Sequence, residues 1–476
     1  MKQPNIIYVF ADQWRRQAVG FMEQDEVITP HMDRFAQESA VFTQAVSCTP
    51  LCSPHRSSLM TGKYALSTGV YTNCKNGLSV MLSPEETGIG DALKAGGYET
   101  GYIGKWHLDL PEQNVEPNPA SGAKEWDAYT PPGPKRMGFD YWYSYGTFDE
   151  HLTPHYWKDS PEQIQINEWS VAHETDVALA FMEEKRQQDK PFALFLSWNP
   201  PHSPFELVPE KYKELYKDKT IEKRANVQIA DPFLVHTGET IPGGEEQWER
   251  SAKDYFAAIS GIDEQFGRLL ESLNNWGIAE HTIVVLTSDH GELLGSHGMF
   301  AKHSWHEESI GVPFMIRWPE RLRAHVCEEV LNTVDIMPTL LDLAGLSIPG
   351  TVQGSSAAPL LLNSSHAESI GESTEERAAF ISAYPGRLVA IKEFEEAGLN
   401  HLAYGWRGIR FKRYSYIIDN GYAPDCKTRR LLYDLQEDPY QLNPLQLEHA
   451  SEHEIAEQLE QEILKRLKEL NDPFKI

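Results

Sequence analysis

Four short apolar runs, each ending in polar residues of catalytic type, constrain the fold of this chain more than any other feature. Ile6-Ile7-Tyr8-Val9-Phe10 leads into Asp12-Gln13, and Tyr98 to Ile103 leads into Lys105 and His107. Phe192-Ala193-Leu194-Phe195-Leu196 leads, through Trp198-Asn199-Pro200-Pro201, into His202. Thr282-Ile283-Val284-Val285-Leu286 leads into Asp289-His290-Gly291-Glu292. Nearly continuous apolar runs of this length read as strands buried on both faces, the habit of parallel sheets. Ligands of open α/β sheets sit beyond the carboxyl ends of the strands, so groups far apart in sequence can meet in one crevice. Helical patterns alternate with these runs, as a doubly wound fold requires. One spans Asp254 to Asn275, with Phe256, Ile259, Ile262, Phe266 and Leu269/Leu270 at helical spacing before Gly277, and another spans Asp335 to Ala344, closed by Gly345.

Past about residue 370 the texture changes to short strand-like stretches, such as Leu402-Ala403-Tyr404-Gly405-Trp406 and Tyr414-Ser415-Tyr416-Ile417-Ile418. A helix over Glu452 to Leu470 follows, its stripe of Ile455, Leu459, Ile463, Leu467 and Leu470 reading as packing against a small C-terminal sheet. With 476 residues, 41% of them hydrophobic, the chain is large enough for two unequal domains, expected at 1–370 and 371–476. Its 43 Lys+Arg against 70 Asp+Glu give a formal charge of -27, which disfavours nucleic acid and anionic membranes as partners. Any basic residues at an anion site must therefore be concentrated locally. The five cysteines, Cys48, Cys52, Cys74, Cys327 and Cys426, lack the paired spacing of metal or disulfide scaffolds, which points to a reduced, cytoplasmic chain. The apolar run from Asn5 to Phe10 is too short for a signal peptide, and no run approaches a membrane span.

Cys52-Ser53-Pro54-His55-Arg56, followed by Ser57-Ser58-Leu59-Met60-Thr61-Gly62, resembles the Cys-x-Pro-x-Arg sequence on which type I sulfatases make their nucleophile. In that family the cysteine is oxidised after translation to formylglycine. His55 departs from the small residue most relatives carry there. The resemblance extends over nearly the whole chain: Asn5 to Gln13, Gly104-Lys105-Trp106-His107, Pro201-His202-Ser203-Pro204-Phe205, Ser288-Asp289-His290-Gly291-Glu292 and Leu432-Tyr433-Asp434-Leu435-Gln436-Glu437-Asp438-Pro439. It implies an α/β, alkaline-phosphatase-like sandwich: a central mixed, mostly parallel sheet flanked by helices. A smaller C-terminal subdomain with a short antiparallel sheet and a helix completes it.

The resemblance also implies roles. Asp12, Gln13, Asp289 and His290, with an oxygen of the modified Cys52, match positions that hold one divalent cation. Mostly oxygen ligands favour Ca²⁺ first and Mg²⁺ second, and the His290 nitrogen admits Mn²⁺. Arg56 would orient the formylglycine hydrate, Lys105 and Lys302 would neutralise substrate oxygens, His107 would take the proton as sulfate leaves, and His202 would act at the leaving oxygen. A sulfate monoester presents an anionic, weakly electrophilic sulfur, so it needs a strong nucleophile, cations around its oxygens and an acid for the leaving group. A geminal diol supplies one hydroxyl to attack sulfur and a second to release sulfate. A formylglycine-generating enzyme is then a required partner, and the substrate a small or oligosaccharide sulfate ester, with oligomeric state left open.

Segments outside the matched motifs, Tyr141-Trp142-Tyr143, Phe148 to His151, His155-Tyr156-Trp157 and His303 to His306, are rich in aromatics and histidine, as a pocket for a sugar or aryl ring would be. A carbohydrate sulfate is the preferred reading. Phosphonate monoester or phosphodiester hydrolysis by the same superfamily is an alternative. A catalytically inactive anion- or glycan-binding relative is another, of a different class.

Overall fold

The computed structural model describes residues 3–235, 239–362 and 376–476. Its central sheet has eight strands: β1 (Asn5–Ala11), β2 (Ala40–Val46), β3 (Glu99–Lys105), β4 (Tyr141–Tyr145), β5 (Phe192–Trp198), β6 (Thr282–Ser288), β7 (Phe314–Arg317) and β8 (His325–Asn332). They lie in the order β8-β2-β7-β6-β1-β5-β3-β4, and only β7 runs antiparallel to its neighbours. All four apolar runs that end in polar residues are strands of this sheet, and three of them, β6, β1 and β5, are adjacent at its centre.

The main helices are α1 (Pro30–Gln37), α2 (Cys52–Thr61), α3 (Ser170–Lys185), α4 (Glu245–Asn275), α5 (Thr333–Leu343), α6 (Leu388–Glu396) and α7 (Glu454–Glu469). Alternation along β1 sends its side chains to both faces. Ile7, Val9 and Ala11 pack with Phe35 of α1, Phe181 of α3 and Phe256 and Phe266 of α4. Ile6, Tyr8 and Phe10 pack with Leu59 and Met60 of α2 and Leu340 and Leu341 of α5. Helices therefore cover both faces, which is why the strands read as unbroken apolar runs. Helix α4 begins nine residues before the expected Asp254, because its first turns bury only Trp248, Ser251 and Ala252 and carry little apolar signal.

A second sheet, β9 (Ala379–Ala383), β10 (Trp406–Arg410), β11 (Tyr414–Asp419), β12 (Arg429–Asp434) and β13 (Leu445–Leu447), is antiparallel throughout. Phe380, Ile409, Tyr416, Ile418 and Leu432 on one face pack against Leu459, Ile463 and Leu467 of α7, as the stripe predicted. The other face, with Ile381, Trp406, Ile417 and Leu431, packs on Val46 and Ile310 of the main body. The strand expected over Leu402 to Trp406 is instead a 3-10 turn at His401–Ala403, and β10 starts at Trp406. Gly405 sits at φ +78 between them, a conformation that ends a strand. The expected boundary at 370/371 lies outside the described residues. Among the described residues no helix is long and apolar enough to cross a membrane.

Glu307 fastens the two sheets together. Its carboxylate accepts from Arg16 at 2.5 Å and from Arg410 of β10 at 3.1 Å, and Arg410 also donates to Gln44 of β2. Burial pushes the Glu307 carboxyl up, but Arg410 and Arg16 outweigh it and bring it down to about 2. A carboxylate lowered in the folded state adds stability above its unfolded value and loses it as pH falls toward the folded one. Glu307→Gln is expected to cost roughly 3 kcal/mol at pH 7, since it leaves two buried guanidinium groups short of a partner. In urea unfolding followed across pH, the gap to wild type should close between about 4.5 and 2. A gap of constant size over that window would rule out the charge as its source.

Candidate active site

Polar residues at the carboxyl ends of β1, β3, β5 and β6 meet the first turn of α2 in one buried centre. β1 and β6 pair in parallel from Asn5↔Thr282 to Ala11↔Ser288, so Asp12 and Asp289, each one residue past its strand, emerge side by side. Cys52 is the first residue of α2 and follows Leu51 in extended conformation. Pro54 lies in the first turn, where its missing N–H costs no helical bond. Gly62 closes the helix at φ +65, and its N–H bonds the Ser58 carbonyl. All ten residues of α2 are buried. His55 turns away from the site: its Nδ1 lies 2.9 Å from Ser47 Oγ, and burial, then Arg56, bring it down to about 3.

Arg56 stands one turn along α2 from Cys52, on the same face. Its Nη2 donates to Asp12 Oδ2 at 3.1 Å and Asp289 Oδ2 at 3.2 Å, and its Nη1 to Lys105 O at 2.6 Å and Ser197 Oγ at 2.8 Å. With both Oδ2 atoms engaged by Arg56, Oδ1 of each carboxylate faces the remaining groups. Oδ1 of Asp12 and Oδ1 of Asp289 each lie 3.5 Å from His290 Nε2. The Cys52 thiol donates to Asp12 Oδ1 at 3.5 Å and lies 3.3 Å from His290 Nε2.

Asp12, Cys52, Asp289 and His290 thus offer ligand atoms all within 4.8 Å of one another. His290 Nδ1 donates to the Gly291 carbonyl at 3.0 Å, which assigns the proton there and leaves a bare lone pair on Nε2. Lone pairs of a neutral imidazole and two carboxylates converging without a proton between them repel, and a divalent cation relieves that repulsion. Burial and Asp12 push the Asp289 carboxyl up to about 7. Asp12 feels the same burial, but the Lys105 ammonium and the Arg56 guanidinium outweigh it and hold the carboxyl well below its ordinary value. The donor set therefore fits one hard or borderline cation. Gln13, at φ +65, sits beside it: its Oε1 accepts from Lys302, keeping a second lone pair, and its Nε2 donates to Glu292 at 2.5 Å.

The basic residues read from the sequence gather around the same point. Lys105 Nζ lies 2.8 Å from Asp12 Oδ2 and donates to Asn199 Oδ1 at 3.1 Å. Gly104 precedes it at φ +96, where a Cβ would meet the Ser197 carbonyl at 2.1 Å, so only glycine lets β3 lie this close to β5. Lys302 Nζ donates to His202 Nε2 at 2.9 Å, while His202 Nδ1 donates to Ser203 O at 2.6 Å. Burial and Lys302 bring His202 down to about 3, so the imidazole is neutral and accepts at Nε2. His107 Nε2 donates to Cys74 O at 3.1 Å, and its buried Nδ1 has no partner. Burial, then Lys105 and Arg56, hold that imidazole neutral. Cys52, Lys105, His107 and His202 open onto a cleft of about 320 Å³.

Sequence reasoning missed several groups. Asn199, between Trp198 and Pro200, accepts from Lys105 and so positions it. Asn73, whose Oδ1 accepts from Ser53 N at 3.1 Å, lines the cleft and belongs to no motif. Of the four aromatic segments, only Phe148 to His151 reaches the cleft, through Phe148, Asp149 and Glu150. Tyr141-Trp142-Tyr143 is strand β4, and Tyr156 and Trp157 are fully buried in the core. Trp126 lines the cleft instead.

This fold is that of the sulfatases: residues 4–346 match the family profile described as Sulfatase, and the chain belongs to that family of sulfuric ester hydrolases in the alkaline phosphatase superfamily. An endo-4-O-sulfatase of Bacteroides thetaiotaomicron is 37% identical, the match covering 99% of this chain and 93% of that protein. An ulvan-active sulfatase of Formosa agariphila is 33% identical over 99% of this chain and 83% of its own length. A solved Bacteroides thetaiotaomicron sulfatase, from work on the metabolism of multiple glycosaminoglycans, superposes with a TM-score of 0.85 at 36% identity, covering 99% and 97% of the two chains.

Proposed function

We propose that this chain removes sulfate from a carbohydrate sulfate monoester, using a formylglycine made from Cys52 and one divalent cation, Ca²⁺ before Mg²⁺ or Mn²⁺. The observation that carries the reading is the convergence of Asp12, Asp289 and bare His290 Nε2 on Cys52 Sγ, the atom whose place a formylglycine oxygen would take. The named sugar sulfatases among the relatives support the substrate class. Asp12, Asp289, His290 and the free lone pair of Gln13 would hold the cation, which supplies charge neutralisation and lowers the pKa of an oxygen bound to it. The formylglycine hydrate would supply the hydroxyl that attacks sulfur and a second that releases it.

The chain's own side chains divide the remaining work. Arg56, locked between Asp12 and Asp289, orients the residue at position 52. Lys105 and Lys302 face the sulfate oxygens as charge accumulates there. As the sulfur–oxygen bond to the sugar breaks, the leaving oxygen takes a proton from the Lys302–His202 pair. The unpartnered Nδ1 of His107 accepts the proton given up when sulfate is released. One water is consumed for each sugar hydroxyl and sulfate formed.

Residues 1–370 are read as the catalytic domain and 371–476 as a C-terminal subdomain. The described cysteines are all free thiols, four of them buried, in keeping with a reducing, cytoplasmic setting and with maturation by a formylglycine-generating enzyme. Co-expression with such an enzyme is expected to convert the Cys52 peptide to the aldehyde form by mass spectrometry. The matured protein should then cleave sulfated sugars faster than the matching phosphonates, lose at least about 100-fold in rate on chelation, and recover with Ca²⁺. Faster turnover of phosphonate esters would reverse the assignment.

A further inference from the structure

The mouth of the cleft carries groups that the reaction itself does not use. Trp126 is 39% exposed there and lines the cleft beside Lys124. Its indole lies within 22° of parallel to the His107 ring, centroids 6.5 Å apart, and Lys75 Nζ stands 5.8 Å from its centroid. The platform is held firmly. Asp127 next to it accepts from the N–H groups of Ala128, Gly146 and Thr147 at 2.9, 2.7 and 3.1 Å, and from His155 Nε2 at 2.6 Å. That clamp joins the Trp126 segment to the wall that starts at Thr147, across the cleft.

Arg387, at the start of α6, approaches from the C-terminal part of the chain. Gly386 closes on Thr72 so tightly that a Cβ would sit 2.0 Å from its Oγ1, and Leu388 lies 3.1 Å from a Cβ built on Gly77. Burial, then Arg387, press the Lys75 ammonium below its ordinary range, against the pull of Glu239. Lys124 and Glu125 flank Trp126 in the cleft wall, and Glu150 lines it too, so the cations beside the indole are Lys124 and, over its ring, Lys75. In a chain of net charge -27, cations gathered at one rim select an anion at that place.

We propose that Trp126, Lys75 and Arg387 form a second sugar subsite, which takes the ring next to the sulfated one and recognises an anionic group on it. The inference rests on the carbohydrate-sulfate reading above. The indole would stack on the apolar face of the neighbouring ring, and the ammonium would meet its carboxylate or a second sulfate.

The test compares matured wild type, Trp126→Ala, Trp126→Phe and Lys75→Gln on four substrates. These are an aryl sulfate, a singly sulfated tetrasaccharide with a uronate neighbour, its carboxyl-reduced counterpart, and a neutral-neighbour analogue with a second sulfate. Trp126→Ala should lose about tenfold in kcat/KM on all the tetrasaccharides through KM, with Trp126→Phe recovering most of it and the aryl sulfate unaffected. Lys75→Gln should lose about tenfold on whichever anionic neighbour is recognised and nothing on the carboxyl-reduced substrate. Equal losses on the aryl sulfate, or an unchanged KM for the tetrasaccharides, would overturn the subsite. Titration of the unsulfated uronate tetrasaccharide by calorimetry needs no turnover. Binding that Trp126→Ala weakens supports the subsite even if sugar sulfates are not cleaved, an outcome that would sink the hydrolase reading alone, whereas no binding to wild type would sink the subsite.

Discussion

Cys52→Ala is expected to lower kcat/KM for a sulfate ester by at least about 10⁴-fold, because it removes the proposed nucleophile while leaving the charged walls of the site in place. The thiol is 1% exposed and touches Asp12 and His290, so losing one sulfur atom should cost the fold only about 1 kcal/mol. A melting temperature near wild type, with activity gone, separates chemistry from folding. Cys52→Ser is the more instructive variant. Its single hydroxyl can attack sulfur once but has no second hydroxyl to expel the sulfate, so it should give a stoichiometric burst, a protein heavier by one SO₃, and then stop. Steady turnover by the serine variant at the wild-type rate would remove the need for a diol altogether.

Arg56→Leu should be the most damaging change to stability, at roughly 3–5 kcal/mol. One guanidinium satisfies Asp12, Asp289, the Lys105 carbonyl and Ser197, all buried, and lies 5.0 Å from the Phe10 ring centroid. Removing it strands two carboxylates that burial already disfavours. Arg56→Lys keeps the charge but not the fork, so it should recover only part of the loss. If the proposed cation binds the folded centre and not the unfolded chain, adding Ca²⁺ should raise the melting temperature of both proteins, and more for Arg56→Leu, where the metal becomes the main counter-charge. Thermal scans with chelator and with Ca²⁺ decide this. A leucine variant as stable as wild type would mean that the carboxylates are protonated in the fold and that the site is not built for a cation.

Much of this was legible because period and position carry it. Strands β1, β3, β5 and β6 are covered by helices on both faces, so their apolar runs are unbroken and end where the catalytic polar residues begin. Asp12, Asp289 and His290 could be read as neighbours because parallel strands deliver their carboxyl ends to one edge. What stayed hidden depends on contacts without a pattern. Trp126 sits on a loop whose place is set by Asp127, and nothing in its local sequence separates a cleft wall from packing. The clusters at Tyr141 and His155 mislead for the same reason: aromatics line cores as readily as pockets. Gly405 shows the limit at a finer scale, its positive φ turning an apparent strand into a turn.

The place of β1 in the sheet has a bearing on time. Its partners in β5 and β6 lie 187 and 277 residues further along the chain, so the first strand made is among the last to be enclosed. During synthesis, at about 5–20 residues per second, the segment around Cys52 remains outside its final pocket for about 10 to 50 s before β6 exists to complete the site. Once enclosed, α2 is buried along its whole length and offers no extended backbone to another enzyme. If Cys52 is matured as proposed, the fraction of active molecules is decided by a race between elongation and oxidation, and slowing the ribosome should enrich the aldehyde form without any change in the protein.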